Sequence, residues 1–576
     1  MIIDARGLPD GLRIDAEICI VGAGVAGITL AREFARVGLS TCVIEGGGWT
    51  RDWESQSLYE GESTGIPYDL VNTRSRHVGG SSNCWGGWCR PFSAIDFDSR
   101  PWVDGSGWPF ALADLSDAYR RARDLLQVGH LPDDPGFWLD RLSGRVRNLP
   151  LPSGAIETQI AHFSPPVRLG RMFRPELEQS SSIRLLLHAN AVGVAVDRSG
   201  TRAEGVRIRT EGGRTIFVSG REVILAAGGI ENARLMLLSN DAQPAGLGNG
   251  HDLVGRHFMD HPRIPLGRVT LRDPYGRRLF HDVRYSFHNP RLAVDGISAS
   301  AYFGLSEQIQ RAEGLLQCRT YLFACYPEDE HPAVDGARRI RDALQHRSLA
   351  IGGRAALSVM AGAPSGARAL LRRGGMIAPP PTHLIPISVL EPVPDPESRV
   401  TLSERKDRFG CNQARLHWRV GELERRTHLR MLSLLKREIG GAGLGSVEIS
   451  DDEIAEDRWR NTIAWAWHHM GTTRMHPSPR LGVVDTDCRV HGLSNLYVAG
   501  SSVFPTGGND MPTLTITALA LRLADHLRAQ RERSIPVVAE AMAEMAVPAE
   551  GGLADTGHAA FLPSAGDGLA ARRSAL

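Results

Sequence analysis

Apolar residues in this chain fall into three patterns, and each predicts a different kind of element. The first is the short unbroken run. Ile18-Cys19-Ile20-Val21 is apolar on both faces of an extended strand, and Val223 to Ala226 and Asn495 to Ala499 read the same way. Strands buried on both faces belong to parallel sheets covered by helices. The second pattern is helical. Ile28 to Val37 sets Leu30, Ala31 and Phe34 on one side, and ALADLSDAYRRARDLL, IENARLMLLSN and the long apolar-faced stretch opened by Pro512 have the same character. The third is alternation. It covers IRLLLHANAVGVAVD, GVRIRTE and TIFVSG between 183 and 220. It returns in RYSFHNPRL, LLQCRTYLFACY and HLIPISVLEPV between 263 and 400, where it predicts a mostly antiparallel sheet.

The order of the patterns adds chemistry at once. The apolar run ending at Val21 leads into Gly22, Gly24 and Gly27 in G-x-G-x-x-G spacing, then into the Ile28–Val37 helix, then into a strand from Ser40 to Ile44 that ends in Glu45. This is a βαβ unit with a dinucleotide fingerprint. Gly22 permits the tight turn. Gly24 lets backbone N–H groups approach a pyrophosphate at the positive end of the helix. Gly27 lets the helix lie close to the strand, and Glu45 can accept from ribose hydroxyls. Further along, Ala227-Gly228-Gly229 turns a buried strand into a helix, the way an open α/β sheet returns to a nucleotide. A second Gly-rich stretch, HVGGSSNCWGGWCRPF from 77 to 92, follows the fingerprint soon enough to close over the same ligand.

Composition narrows the class. With 576 residues, 42% hydrophobic, the chain can bury a large core and form two linked domains. A net charge of +1 points to no polyanionic partner, so nucleic acid is not expected. The eight cysteines (19, 42, 84, 89, 318, 325, 411, 488) form no C-x-x-C pair. The expectation is a reduced, cytoplasmic protein with no zinc site. The segment MIIDARGLPDG has neither a basic nor an apolar leader region, and no run of about 18 apolar residues suggests a membrane span. His251, His257 and His261 crowd one loop-like stretch, but their spacing fits no compact metal site, so they read as surface or capping groups. An Ala/Gly-rich helical insertion carries Arg338, Arg339, Arg341, Arg347, Arg354, Arg368, Arg372 and Arg373 against few acids. It reads as a solvated face, with a docking surface for an acidic partner or an electron acceptor as the alternative. From about 531 the chain is rich in Ala, Gly and Pro without a period and reads as a disordered tail.

The segment from 464 to 527 carries the remaining candidate chemistry: AWAWHHMGTTRM, then GVVDTDCRVHG, then NLYVAGSSVFPT, then PTLTITALALRLADHL. His468, His469 and Asn509 lie near its turns. Together with VGAGVAG…VIEGGG, VGGSSNCWGG and VILAAGGIENARLML, these blocks resemble the glucose–methanol–choline family of FAD-dependent oxidoreductases, in the right order from 16 to 530. The resemblance implies an α/β fold (α+β overall), with a Rossmann-like FAD-binding domain and a second, mostly antiparallel-sheet substrate domain. The expected division is 1–110, 183–262 and 464–530 for FAD, and 111–182 and 263–463 for substrate and cap helices. It implies that Gly80, Ser81, Ser82 and Asn83 contact the flavin, that Val192 sits near the adenine, and that Gly500, Ser501, Met511 and Thr513 join Ala227 and Gly228 around the cofactor. In the family's H-x-x-G-T motif the first residue is the base, so that role falls on His468.

Two departures bear on the chemistry. Where family members with a histidyl-linked flavin carry His, this chain has Cys84, so non-covalent FAD is expected. Where a His or Asn directly precedes P-T-L-T, this chain has Met511, and Asn509 is the candidate replacement. The implied reaction is alcohol oxidation: His468 takes the hydroxyl proton and the carbinol hydride goes to flavin N5. The substrate expected is a hydroxyl of a sugar, glycoside or aminoglycoside, with Glu391, Asp395 and Asp510 as carboxylates for a cationic one. The alternatives are a non-sugar alcohol, a lyase-type flavoprotein of the same fold, a non-catalytic flavoprotein, and a nicotinamide-dependent dehydrogenase. Oxygen, a quinone and a carrier protein all stand as electron acceptors.

Overall fold

A computed structural model describes residues 1–330, 363–373 and 376–545. By internal contacts the chain divides into Met1–His526 and Leu527–Leu576. The described part of the second unit is helical. It belongs to a helix spanning Thr513–Met545, which continues well past the point where the sequence reads as a disordered tail. The Ala, Glu, Arg, Gln and Met that make this stretch compositionally simple are also strong helix formers. Residues 546–576 of the expected tail lie outside the described residues, as does most of the Arg-rich insertion.

Three sheets build the unit Met1–His526. In the first, Ile183–Leu187, Thr41–Ile44, Leu12–Val21, Thr215–Leu225 and Leu496–Val498 run parallel in that spatial order, with Ile2–Asp4 added at one edge. Ala203–Arg209 pairs antiparallel with the first half of Thr215–Leu225, and Asn190–Val196 pairs antiparallel with Ala203–Arg209. The strand of the glycine fingerprint, Leu12–Val21, lies inside the sheet with Thr41–Ile44 on one side and Thr215–Leu225 on the other. That arrangement is a topological switch point, and ligands of open α/β sheets bind in the crevice outside the carboxyl ends of such strands. Ile18, Cys19, Ile20 and Val21 are all buried, as the unbroken apolar run requires.

The second sheet is antiparallel throughout. Its strands are ordered Gly445–Glu448, Arg268–Leu271, His383–Leu390, Cys318–Cys325, Ile297–Leu305, Ile156–Phe163 and Trp88–Cys89, with Arg263–Pro265 also paired to His383–Leu390. Under it lies a cluster of Trp138, Leu142, Ile160, Phe280 and Leu292. Two of the three segments expected there as strands are strands. RYSFHNPRL is not: it forms a short helix, Val283–Ser286, and a 3-10 turn, Pro290–Leu292. Local polar chemistry overrides its alternation, because Asp282 accepts from the Arg284 N–H at 3.0 Å and Asn289 accepts from the Arg291 N–H at 3.0 Å ahead of Pro290. The third sheet joins Arg399–Lys406, Asn412–Trp418 and Gly61–Gly65.

Candidate active site

One cavity of about 2260 Å³ runs along the switch point. Pockets for one small ligand hold roughly 300–1,000 Å³, so this one has room for a dinucleotide and a second molecule. Three helices begin at its wall: Val25–Arg36, Glu231–Leu238 and Thr513–Met545. Their free N–H groups make that wall electropositive.

At one end the wall is backbone. Gly22 turns with φ +102°, and a Cβ there would lie 2.6 Å from the Ala226 carbonyl oxygen. A Cβ on Gly27 would lie 1.9 Å from the Gly22 carbonyl oxygen, which is why helix and strand can approach only with glycine there. Gly24 opens on the cavity, and the nearest atom to a Cβ built on it is the Cα of Gly80, 4.0 Å away. The second Gly-rich stretch thus closes face to face on the first, held by the Gly79 N–H to Ala23 carbonyl bond of 2.8 Å. Glu45 lines the cavity while accepting from the Ala23 and Gly47 N–H groups at 3.0 and 2.9 Å. Each of its oxygens keeps a further lone pair. Asn232 ties the two remaining turns together: its Oδ1 accepts from Ala227 N–H at 2.8 Å and its Nδ2 donates to Ser502 Oγ at 3.0 Å. A Gly-lined crevice with three positive helix ends, an acid and glycines where a Cβ cannot fit is the donor set that a dinucleotide such as FAD requires.

At the other end the wall is made of side chains. Asp260 is fully buried and clamps the loop before His468. Its Oδ1 accepts from the His468 N–H at 2.9 Å, and its Oδ2 from the Ala466 and Trp467 N–H groups at 3.2 and 3.1 Å and from Tyr68 Oη–H at 2.6 Å. Burial pushes this carboxyl up to about 6 against those bonds. The clamp holds Trp467 in the left-handed region, φ +68°, a rare conformation for a bulky residue. On the far side of the loop, Ser501 Oγ–H donates to the His469 carbonyl at 2.6 Å.

His468 and His261 meet Nδ1 to Nδ1 at 2.8 Å, and His261 Nε2 meets the Gly508 carbonyl oxygen at 2.8 Å. A carbonyl only accepts, so His261 Nε2 carries a proton. Burial, with Arg319 nearby, lowers the His261 pKa to about 4, so the ring is neutral at pH 7 and its Nδ1 is an acceptor. His468 must therefore donate from Nδ1, which leaves its Nε2 as a bare lone pair. Burial first, then His261, Arg319 and His469, push the His468 pKa well below the usual value, so this lone pair stays unprotonated at neutral pH. Asp260, His261 and His468 bring possible metal-ligand atoms within 4.8 Å of one another. The hydrogen bonds above already engage the carboxylate and both facing nitrogens.

The predicted residues divide cleanly. Gly22, Gly24, Glu45, Gly80, Ser81, Ser82, Ala227, Gly228, Gly500, Ser501, Met511, Thr513 and His468 all line the cavity. Gly27, Asn83, Val192 and Asn509 do not; Ala189 and Ala191 line it beside Val192. Gly27 acts through close packing, and Asn83 Nδ2 donates to the Val78 carbonyl at 3.0 Å. Asn509 is buried, and its Oδ1 has no partner among the described residues. Arg319, from the antiparallel sheet, lines the cavity with Nη1 at 2.6 Å from Met511 Sδ, and its charge helps to lower the His468 pKa. His261 is not the surface or capping group its sequence context suggests, because the fold turns it inward against His468. His257 is likewise mostly buried, with Nδ1 at 2.7 Å from the Pro394 carbonyl. Arg372 is not solvated either: it pairs with Glu328 at 3.0 Å and stacks over Tyr326.

Comparison with known proteins agrees with this geometry. Residues 394–520 match the family model of GMC oxidoreductase, and residues 17–250 that of FAD dependent oxidoreductase. The chain is 24% identical to the 2-methyl-1,2-propanediol dehydrogenase of Mycolicibacterium austroafricanum, over 89% of this chain and 95% of that one. It is 25% identical to the 6'''-hydroxyparomomycin C oxidase of Streptomyces lividus, over 89% and 92%. Its fold superposes on formate oxidase of Aspergillus oryzae RIB40 with a TM-score of 0.54 and 19% identity, covering 91% of this chain and 100% of that one. No helix among the described residues is long and apolar enough to cross a membrane. With the crevice, the glycine cradle and the histidine loop in place, the chain carries GMC oxidoreductase and FAD-dependent oxidoreductase domains and is an FAD-dependent alcohol oxidoreductase.

Proposed function

We propose that the protein oxidises a hydroxyl of a sugar or glycoside to the carbonyl, with His468 Nε2 as the base. The observation that supports this most directly is the proton chain from Gly508 through His261 to His468. It fixes one tautomer and leaves an acceptor in the cavity wall. His468 takes the hydroxyl proton as the C–O bond gains double-bond character. FAD, when bound, accepts the hydride from the carbinol carbon. Asp260 holds the loop so that Nε2 does not drift, and Trp88, Trp467 and Phe287 line the wall around the substrate and limit water there. The segments 1–110, 183–262 and 464–530 would hold the cofactor, and the antiparallel sheet would form the substrate floor. Cys84 in place of a linking histidine supports non-covalent FAD. The absence of any disulfide among the eight cysteines supports a cytoplasmic location.

An aminoglycoside is the weaker choice within this class, although one relative is named for a paromomycin derivative. A polycation needs carboxylates in the wall, and the three candidates are all occupied elsewhere. Glu391 is buried and held by both Nη atoms of Arg100. Asp395 pairs with Arg419 at 3.3 Å, and Asp510 with Arg90 at 2.5 Å. None of the three lines the cavity. The diol named in another relative keeps a non-sugar alcohol as the second reading.

The test is anaerobic mixing of the purified holoprotein with sugars, glycosides, diols and aminoglycosides while the visible flavin band is followed. Bleaching by one class names the substrate, and readmitting air separates oxygen from a quinone or carrier protein as acceptor. His468→Ala is expected to keep FAD and lose this bleaching at least 100-fold; bleaching at the wild-type rate in that variant would remove His468 from the role.

A further inference from the structure

The antiparallel sheet presents an arginine pair to the reacting end of the cavity. Arg263 and Arg319 both lie directly opposite Val389, one on each neighbouring strand. Residues opposite one another across a ladder share a face, and two strand spacings set the two backbones roughly 9–10 Å apart. All three residues line the cavity, as does Ala464, which bridges Arg263 and lies four positions before His468.

The local charge does not balance. Arg319 is almost fully buried, and among the described residues the carboxylate paired with it is Asp510, at 3.5 Å. Asp510 already takes Arg90 at 2.5 Å and the Tyr302 hydroxyl at 2.8 Å. Arg100 is matched by Glu391. Asp96, the next buried carboxyl, is engaged elsewhere, accepting from the Ser93 N–H at 2.7 Å and from Gln317 Nε2. Two guanidiniums therefore share one carboxylate, and Arg319 Nε is buried with no partner. Arg263, at the exposed side of the row, donates Nε–H to Tyr321 Oη at 2.9 Å and has no acidic partner among the described residues. Glu328 and Asp329, the other acids on this part of the wall, pair with Arg372 and Arg284.

We propose that this row binds a carboxylate, so that the substrate is a hydroxy acid such as a sugar acid, with its hydroxyl at His468 and its carboxylate at Arg319. The inference rests on the alcohol-oxidising reading and narrows it. Arg90 and Arg319 against Asp510 leave one positive charge in excess at this point, which a monoanion neutralises and a phosphate dianion overshoots. A guanidinium and a carboxylate are also matched for paired charge-assisted hydrogen bonds.

Binding can be tested without turnover. Benzoate and benzamide have the same shape, carry no oxidisable alcohol, and differ in charge. Titrated into the yellow holoprotein, benzoate is expected to perturb the flavin band at about ten-fold lower concentration than benzamide or more. Arg319→Gln should bring the two together while flavin content holds, and Arg263→Gln should weaken benzoate by a smaller factor, about three-fold. Should Arg319→Gln fail to retain flavin, the Arg263→Gln titration decides instead. Benzamide binding as well as benzoate, an unchanged ratio in both variants, or inorganic phosphate binding more tightly than benzoate would each overturn the proposal. Anaerobic bleaching by glucuronate, glucose and glucosamine then separates the two ideas. A glucuronate preference lost in Arg319→Gln supports both. Bleaching with no preference sinks the carboxylate site alone. Benzoate discrimination with no bleaching by any alcohol sinks the oxidation reading and leaves the anion site standing.

Discussion

The two ends of the cavity are built on opposite principles. At the nucleotide end, backbone does the work: Gly22, Gly24, Gly27 and Gly80 act by lacking a side chain. At the reacting end, side chains from four distant stretches converge: Asp260 and His261, Arg319, His468, and Gly508 to Met511. At Gly22 and Gly27 the first end tolerates no added atom. The second depends on which proton sits where. A change at the first should cost cofactor and fold, whereas a change at the second should cost chemistry with the yellow colour intact.

The largest effect expected is at Gly27. Gly27→Val places a branched side chain where even a Cβ meets backbone at 1.9 Å. It should remove bound FAD and about 3 kcal/mol or more of stability, read by flavin content and thermal unfolding; a yellow, stable variant would erase the contrast. Next is His261→Ala, which removes the acceptor for His468 Nδ1–H. Reduction of the flavin by alcohol should fall about 100-fold at unchanged FAD stoichiometry. His261→Asn, which can still accept, should recover part of that loss. If His261→Ala lost FAD as well, the two ends would not be separable.

Asp260→Asn is expected to act on both chemistry and stability, though more weakly. An amide NH₂ would face backbone N–H groups that now meet a carboxylate oxygen, so about 1–3 kcal/mol should be lost along with roughly ten-fold in flavin reduction. Tyr68→Phe removes only one donor to that carboxylate and should cost about 1 kcal/mol, with flavin reduction nearly unchanged.

Acid should separate the ends in a different way. His261 and His257 titrate near 4 in the folded chain, against about 6.5 when unfolded. Between those values the unfolded chain holds the extra protons, so stability rises with pH across that window. It is fully present above about pH 6.5 and is lost as pH falls toward 4. Thermal unfolding at pH 7.5, 6 and 5 should show a progressive decline. The rate of flavin reduction, which needs neutral His468 and an ionised Asp260, should stay flat from pH 8 to 7.

How far the sequence could be read follows the same division. The glycine fingerprint is legible because its determinants lie within 30 residues and act on their own backbone. Within the expected family, His468 is legible through its motif. His261 was hidden because three histidines in a polar loop carry no period, and only the packing of that loop against 468 makes one of them matter. The nearest available signal was Asp260 beside it, an acid in a run otherwise destined for the interior. Arg319 was hidden in a strand read only for its apolar residues. The alternation that puts Tyr321 and Phe323 on the cavity face puts Arg319 there too. Asn509, singled out by its nearness in sequence to Pro512, is buried and does not line the cavity.

The ladder that carries Arg263, Val389 and Arg319 has a practical consequence for redesign. Its residues reach the cavity from a rigid sheet, whereas His468 reaches it from a clamped loop. Exchanging Arg319 for an amide would leave the clamp untouched but would remove one of the cations that lower the His468 pKa, so substrate charge preference and proton removal meet at that one residue. A library confined to that one row would search for new substrates while every member keeps the same base.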